Sequence, residues 1–277
     1  MTSILKMHGA VLSNPVITLD DLPFSRQKCI NWLGADNVTT SAYGVESIND
    51  YQNGQSYASI DTVARTRVCQ LMEVNGINVL KFSPEGFAVN TINAYRILNP
   101  QQFSAKDALS FAMLIKAEST DYTSGYRAIF HIGMGNSAGS NVPMIRLQFT
   151  DNATFGIIAR HSSPEETAEQ MSITGLDAGY NVLFVELDYA NKRVRTKLND
   201  GAIVTRSAFA GTSGKNVVSA AAVVGLAGYL SASGQAGRTT IFSGGLREMS
   251  IFSGPMTDTE ITSVTDWLMS KRNLLNN

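Results

Sequence analysis

The sequence predicts an all-β protein, an antiparallel jelly-roll β-sandwich closed by a short C-terminal helix. Three observations predict it. Short apolar runs recur from Cys29 onward, separated by Gly, Asn, Asp and Ser clusters, at the spacing of roughly ten residues that suits an antiparallel meander. Within the runs polar and apolar residues alternate, the period of strands with distinct faces. Only after Pro255 does the period become helical.

Composition agrees. The chain has 277 residues, 44% of them hydrophobic and 16% charged, enough to build a core and too apolar for a disordered chain. There are 23 glycines against seven prolines, which points to many turns. The net charge of −1 gives no reason to expect a nucleic-acid partner. No apolar run reaches membrane-spanning length, so no membrane partner is expected. The start, "MTSILKMHGAVLSNPV", lacks the apolar core and cleavage site of a secretory signal. Cys29 and Cys69 are the only cysteines and read as two buried free thiols rather than a disulfide framework. Folding in a reducing cytoplasm is the expectation.

Residues 1–28, broken by Pro15 and Pro23, read as an extended arm. It is either a tether onto a partner or a first strand folded on its own domain, which spans 29–277. Turn chemistry follows in "NDYQNGQ" at 49–55 and "VNGINVLKFSPEG" at 74–86. "LSFAMLIKAE" (109–118) is a buried strand. "YRAIFHIGMGN" (126–136), "PMIRLQFT" (143–150), "TFGIIARHS" (154–162), "NVLFVELDY" (181–189) and "RVRTKLNDG" (193–201) continue the series. Alternation puts Ile145, Leu147 and Phe149 opposite Arg146 and Gln148. It puts Leu183, Val185 and Leu187 opposite Phe184, Glu186 and Asp188, and Val194, Thr196 and Leu198 opposite Arg195 and Lys197. A meander would gather Arg146, Arg160, Glu186, Arg195 and Lys197 on one polar face, either solvated or the floor of a ligand groove. The Gly-rich stretch 219–237 reads as a strand ending in a loop, with a short helix as the alternative.

The last strand, "SGGLREMSIFSG", carries Leu246 and Phe252 on one face and Met249 and Ile251 on the other. Thr257 and Glu260 form a capping box. Ile261, Val264 and Leu268 share a helical face, and Lys271 and Arg272 fall where the helix dipole favours cations.

The glycine-bounded strand "REMSIF", the turn and "MTDTEI", and the helix ending "WLMSKRN" resemble the C-terminal end of a concanavalin A-like lectin/glucanase domain of the laminin-G-like branch. "VESINDYQNG", "VNGINVLKFSPEGFAV", "LSFAMLIKA", "YRAIFHIGMGN" and the hairpin "NVLFVELDYANKRVRTKLNDG" follow in that family's order, so the resemblance covers about residues 29–273. Such domains include lectins, glycan-binding modules, glycosidases and virion proteins, among them those of tailed phages. Fold therefore leaves function open.

The glycosidase branch carries a Glu-x-Asp-x-x-Glu strand motif. Here "ELDYAN" supplies Glu186 and Asp188 but has Asn191 at the third position, which cannot donate the proton that glycoside cleavage requires. Glu186 and Asp188 read as an outward strand pair, and the chain is expected not to be an enzyme. His8, His131 and His161 lack metal-ligand spacing, and His131 reads as a structural or surface residue. "GMGNSAGSN" lacks a phosphate loop's lysine. No cofactor is expected. The resemblance leaves room for a calcium ion, for which "TDNAT" (150–154) and "LNDG" (198–201) offer oxygens.

Three function classes follow. The first is a non-enzymatic virion structural protein, a phage capsid decoration or attachment subunit docked onto a capsid or other virion protein through the arm. It would be oligomeric within its assembly, made in the host cytoplasm without a signal peptide and displayed on the virion surface. The second is a glycan-binding adhesin of a tail or cell surface, with a host-surface glycan as partner. Its candidate ligand-binding residues are Tyr122, Tyr126, Asn136, Arg146, Arg160 and Glu186. The third is a polysaccharide-degrading enzyme.

Overall fold

The computed structural model describes residues 27–42, 44–52, 55–59, 69–82, 95–97, 99–118, 127–135, 141–163, 166–210, 214–228 and 242–277. The strands run β1 (Cys29–Ser41), β2 (Gly44–Asp50), β3 (Ser56–Ser59), β4 (Gln70–Val74), β5 (Ile77–Phe82), β6 (Tyr95–Ile97), β7 (Ala108–Ala117), β8 (Arg127–Gly135), β9 (Asn141–Asp151), β10 (Thr154–Ala159), β11 (Glu169–Thr174), β12 (Asn181–Asp188), β13 (Arg193–Leu198), β14 (Val204–Ser207), β15 (Val223–Leu226) and β16 (Gly244–Ser253), and α1 (Asp258–Asn276) closes the chain. Strand β1 begins where the alternating pattern begins, at Cys29. Of the predicted arm, residues 1–26 lie outside the described residues.

All the strand pairs are antiparallel, in one hydrogen-bonded path: β11-β10-β9-β8-β15-β6-β3-β2-β1-β16-β7-β12-β13-β14, with β5 on β16 and β4 on β5. The path folds back on itself into two layers. Phe111 of β7 and Phe130 of β8 belong to strands that are not neighbours in the path, yet their rings are 5.1 Å apart. Phe149 of β9 stacks on Phe242 at 5.7 Å, and Phe82 of β5 meets Phe242 from the other layer at 5.6 Å. The register of β1 against β2 shifts between Leu33 and Val38, an irregularity of the kind that lets a strand turn a sheet corner. We call β3, β6, β15, β8, β9, β10 and β11 the far layer, and β1, β16, β7, β12, β13 and β14 with β5 and β4 the near layer.

Two apolar clusters result. One lies between the layers and takes Leu183, Val185 and Leu187 of β12 with Ile145, Leu147 and Phe149 of β9, as alternation predicts. The other lies between the near layer and α1, joining Trp32, Leu114, Val182, Phe184 and Phe252 to Ile261, Val264 and Leu268. The faces predicted for the last strand need one correction. Leu246 joins Met249 and Ile251 in the inter-layer core, while Phe252 faces the helix. The register of β16 on β7 shifts between Leu246 and Glu248, and one extra residue reverses the parity beyond it.

Turn chemistry fits. Asn75 and Gly76 join β4 to β5 with φ of 51° and 76°, the two positive values a two-residue hairpin loop needs. Stretch 219–237 supplies β15 within its described part. The β12–β13 hairpin turns between Asp188 and Arg193, and Asn199 (φ 51°) begins the turn into β14.

Helix α1 is 19 residues long. Its capping box is present: Glu260 N–H donates to Thr257 Oγ1 at 3.2 Å, and Thr257 N–H to Glu260 Oε2 at 2.7 Å. Lys28 adds a contact, donating to Glu260 at 2.8 Å and to the Pro255 carbonyl at 2.9 Å. Lys271 and Arg272 are not in the last turn. They act as anchors instead, Lys271 pairing with Glu248 and Arg272 with Asp177 and the Tyr180 carbonyl.

Candidate functional site

The two outer faces of the sandwich differ. That of the near layer is sealed by α1 over a buried polar network. Glu186 has no solvent exposure. It accepts from Arg195 Nε at 2.7 Å, from Met256 N–H at 2.8 Å and from Ser110 Oγ at 3.2 Å. Arg195 also donates to the Met256 carbonyl and, at 2.8 Å, to Asp258. Lys197 donates to Thr265 at 2.9 Å. Glu248 accepts from Trp32 Nε1 and from Lys271, whose ammonium lies 3.5 Å from the centre of the Trp267 ring. These polar side chains bridge the strands to the segment that starts α1 and to the helix itself, and the bonds offset the cost of burying them.

Among the described residues no helix lies on the far layer's outer face. The register lines up Gln170, Ile158, Arg146, His131, Gly225, Arg96 and Ala58 as successive Cα partners across β11, β10, β9, β8, β15, β6 and β3. A parallel row runs Ser172, Gly156, Gln148, Ala128. At one end of this face a cavity of about 530 Å³ is lined by Gln55, Ser56, Ala58, Ser59, Arg96 and Asn99, with Ile97. Across β9–β11 lies a groove of about 240 Å³ lined by Gln148, Thr150, Thr154, Gly156, Ile158 and Gln170 among others. Gly156 keeps the groove open, since a Cβ there would come within 3.2 Å of Gln148 Nε2.

Each cavity is lined by a residue that carries a buried polar atom without a hydrogen-bond partner. Gln148 is 6% exposed and its Oε1 has no hydrogen-bond partner among the described residues, and the same holds for the buried Nε of Arg96. Buried polar atoms are ordinarily satisfied, and others without a partner occur elsewhere in the fold, Tyr189 OH and Ser250 Oγ among them. Between them His131 is fully buried, and its pKa falls to about 3, first through burial and then through the charge of Arg146. It is a neutral imidazole at physiological pH. The histidine is thus interior, not on the surface.

The predicted site residues separate. Tyr122, Tyr126 and Asn136 lie outside the described residues. Arg146 stands in the far-layer row. Arg160 follows β10 and is engaged by main chain, donating to the Glu166 carbonyl at 2.8 Å and to the Pro143 carbonyl, so it holds the 160–166 segment against β9. Glu186 lies in the other layer, sealed beneath α1, and is a structural ligand of Arg195 rather than a surface contact. The polar face expected to unite Arg146, Arg160, Glu186, Arg195 and Lys197 is therefore two faces, because β9 and β12 belong to different layers. The outward pair Glu186 and Asp188 faces outward from its sheet but not toward solvent: both are fully buried. Asp188 accepts from Arg193 Nε at 2.9 Å and from Asn191 Nδ2 at 2.9 Å, so Asn191 closes the hairpin. Sequence reading missed Arg96, Gln148 and Gln170. The alternation in "YRI" at 95–97 and in "PMIRLQFT" was the available signal for the first two.

Among the described residues no group of three or more His, Cys, Asp or Glu is placed to hold a metal ion. Two of the oxygens considered for calcium are engaged within the fold. Asp151 Oδ1 accepts from Ala153 N–H at 2.7 Å, and Asn199 Oδ1 accepts from Val182 N–H at 2.9 Å. They do not fit a calcium ion, which needs several converging oxygens.

No protein-family description matches this sequence, and no curated protein matches it. Solved structures do match in fold. The botulinum neurotoxin serotype D binding domain has a TM-score of 0.51 at 12% identity, over 87% of this chain and 51% of that one. A Trypanosoma rangeli sialidase has a TM-score of 0.50 at 10% identity, over 91% of this chain and 34% of that one. The Ruminococcus gnavus IT-sialidase CBM40 bound to α2,6 sialyllactose has a TM-score of 0.43 at 17% identity, over 58% and 84%. This chain thus spans about half the length of the neurotoxin chain. The first two likenesses agree with the fold the strands define: an antiparallel jelly-roll β-sandwich with a C-terminal helix.

Proposed function

We propose that the chain is a non-enzymatic glycan-binding protein that takes an oligosaccharide on the outer face of its far layer. The observation that carries this reading is the pair of polar-lined cavities on that layer, one at β3 and β6 with Gln55, Ser56, Arg96 and Asn99, the other across β9–β11 with Gln148, Thr150, Thr154 and Gln170. Amides, hydroxyls and guanidiniums suit sugar hydroxyls, which both donate and accept. The fold alone does not choose between binding and cleavage, since its structural neighbours include a binding domain and a sialidase. What favours binding is the state of the acids. Both carboxylates of "ELDYAN" are buried and bonded within the near layer, on the face opposite the row. Cleavage needs two carboxylates flanking the bond.

The test is a glycan array followed by calorimetry with the best sugar, using wild type and Gly156→Val, which fills the groove floor. Binding by wild type and a loss of at least about tenfold, or 1.4 kcal/mol, in the variant is the expected result. Absence of any hit, or sugar release from a polysaccharide on incubation, overturns the reading.

For setting, we propose the surface of a phage virion, the domain serving as a capsid decoration or attachment subunit. Two observations support this. Cys29 and Cys69 are buried free thiols, as suits a protein folded in a reducing compartment before it meets the outside. Lys28, the last residue of the expected arm, is fixed to Pro255 and Glu260. A cell-surface adhesin is the alternative, and detection of the chain in purified particles decides between them.

A further inference from the structure

We propose that the cavity at β3 and β6 takes the single carboxylate of an acidic sugar, with Arg96 as the group that receives it. The inference rests on the glycan-binding reading above and assigns the chemistry of one end of that face. The cavity opens to solvent: Ser56, Ala58 and Asn99 on its wall are exposed, and Arg96 is half-buried. The buried stretch beyond it, through Gly225 and His131, takes no part. At about 530 Å³ the cavity is of small-molecule size, with room for a sugar ring as well as its acid.

Arg96 carries the argument. Its cross-strand neighbours are Ala58 on β3 and Gly225 on β15, a methyl group and a hydrogen, so neither strand supplies the guanidinium with a partner. The polar lining is otherwise Gln55, Ser56, Ser59 and Asn99, and no aspartate or glutamate lines the cavity among the described residues. No hydrogen bond or ion pair engages Arg96 among those residues. Its Nε is buried, but its two terminal nitrogens are not. They form the planar fork that takes a carboxylate in two parallel bonds. A partly buried charge is ordinarily paired. Here it stands unpaired at an open cavity, and a partner from outside accounts for it. One guanidinium balances one negative charge. A phosphate ester carries about −1.5 to −2, more than this lining offsets, and a sulfate ester spreads its charge over three oxygens where the fork matches two. The hydroxyl and amide side chains suit the neutral hydroxyls of the same sugar.

Titrations of the full chain followed by NMR test this with matched sugars: methyl galacturonoside, methyl galactoside, the 6-sulfate and 6-phosphate of the galactoside, and the same four in the gluco series. Wild type is expected to bind a uronoside at least about tenfold more tightly than its neutral parent or either ester, and the preference should shrink as salt is raised. Ala58→Glu places a Cβ about 5 Å across from that of Arg96 and brings a carboxylate into the anion's place, so it should abolish the preference. Arg96→Met should abolish it too. It should also melt at or above the wild-type temperature, because it removes an unpaired charge from the fold. A melting temperature several degrees lower makes Arg96 a structural residue and overturns the inference. The comparison of sugars on wild type stands even if a variant fails to fold. Equal binding of uronoside and neutral parent overturns carboxylate recognition and leaves glycan binding intact. So does equal or tighter binding of an ester, or failure of both uronosides while the array finds a neutral glycan. If no sugar binds here or on the array, the glycan-binding reading falls, and this inference with it.

Discussion

Glu186 shows how a residue's surroundings override its type. In sequence it occupies the first position of a motif that elsewhere cuts glycosides, and alternation sends it to the outer face of its sheet. That face, however, lies beneath α1. The carboxylate is withdrawn from water and accepts from Arg195, Ser110 and the Met256 main chain, so its task is to hold the turn that starts the helix. Removing one member of a buried ion pair strands the other. Glu186→Ala should therefore cost about 3–5 kcal/mol in urea unfolding, although Arg195 keeps its contact with Asp258. A cost under about 1 kcal/mol, the range of surface pairs, would show that the pair is not structural. Asn191 teaches the same lesson. Its departure from the glycosidase pattern is explained locally, because its amide closes the β12–β13 hairpin on Asp188.

At the scale of elements, much was legible. The start of β1, the β4–β5 hairpin, the inward faces of β9, β12 and β13 and the capping box all follow from local patterns. The reversal within β16 was not legible, because a bulge is set by the partner strand's register and leaves alternation within each half intact. Lys271 and Arg272 could be placed on the helix but not assigned, since their partners Glu248 and Asp177 come from distant strands and loops. The cap makes a pH prediction. Burial opposes ionisation of Glu260, but hydrogen bonds from Lys28 and Thr257 outweigh it and hold the pKa below the ordinary 4.5. A depressed carboxylate contributes stability above its unfolded pKa and loses it as pH falls through the folded value. Thermal stability should thus decline as pH is lowered below 4.5, and Glu260→Gln should flatten that part of the profile while lowering the plateau at pH 7. An unchanged profile in the variant would remove the cap from the acid response.

At the scale of the molecule, the described residues form three layers: a far sheet, a near sheet and a helix that seals the near sheet. The row from Gln170 to Arg96 could not be read from the sequence, because it joins β6, β15 and β8 through pairings between residues far apart in the chain. Nor could the separation of Arg146 from Glu186, which depends on which strands share a layer. The layering predicts how the protein opens. Cys29 belongs to the cluster beneath α1 and Cys69 to the core between the sheets, so the two thiols report on different layers. The inter-sheet core is one contiguous aromatic and aliphatic mass, whereas the helix is attached along a single face, and such elements open locally at lower free energy than the whole. Burial pushes the Cys69 thiol up to about 12, which keeps it protonated and slow to react even when briefly reached. Under native conditions a thiol reagent should therefore label Cys29 well before Cys69, as mass spectrometry of timed peptides would show. Lys271→Met removes the cation paired with buried Glu248 and loosens the helix. It should speed labelling of Cys29 while leaving Cys69 unchanged until global unfolding. If both thiols react at one common rate in wild type and variant alike, helix and sandwich open as a single unit and α1 is not a separable layer.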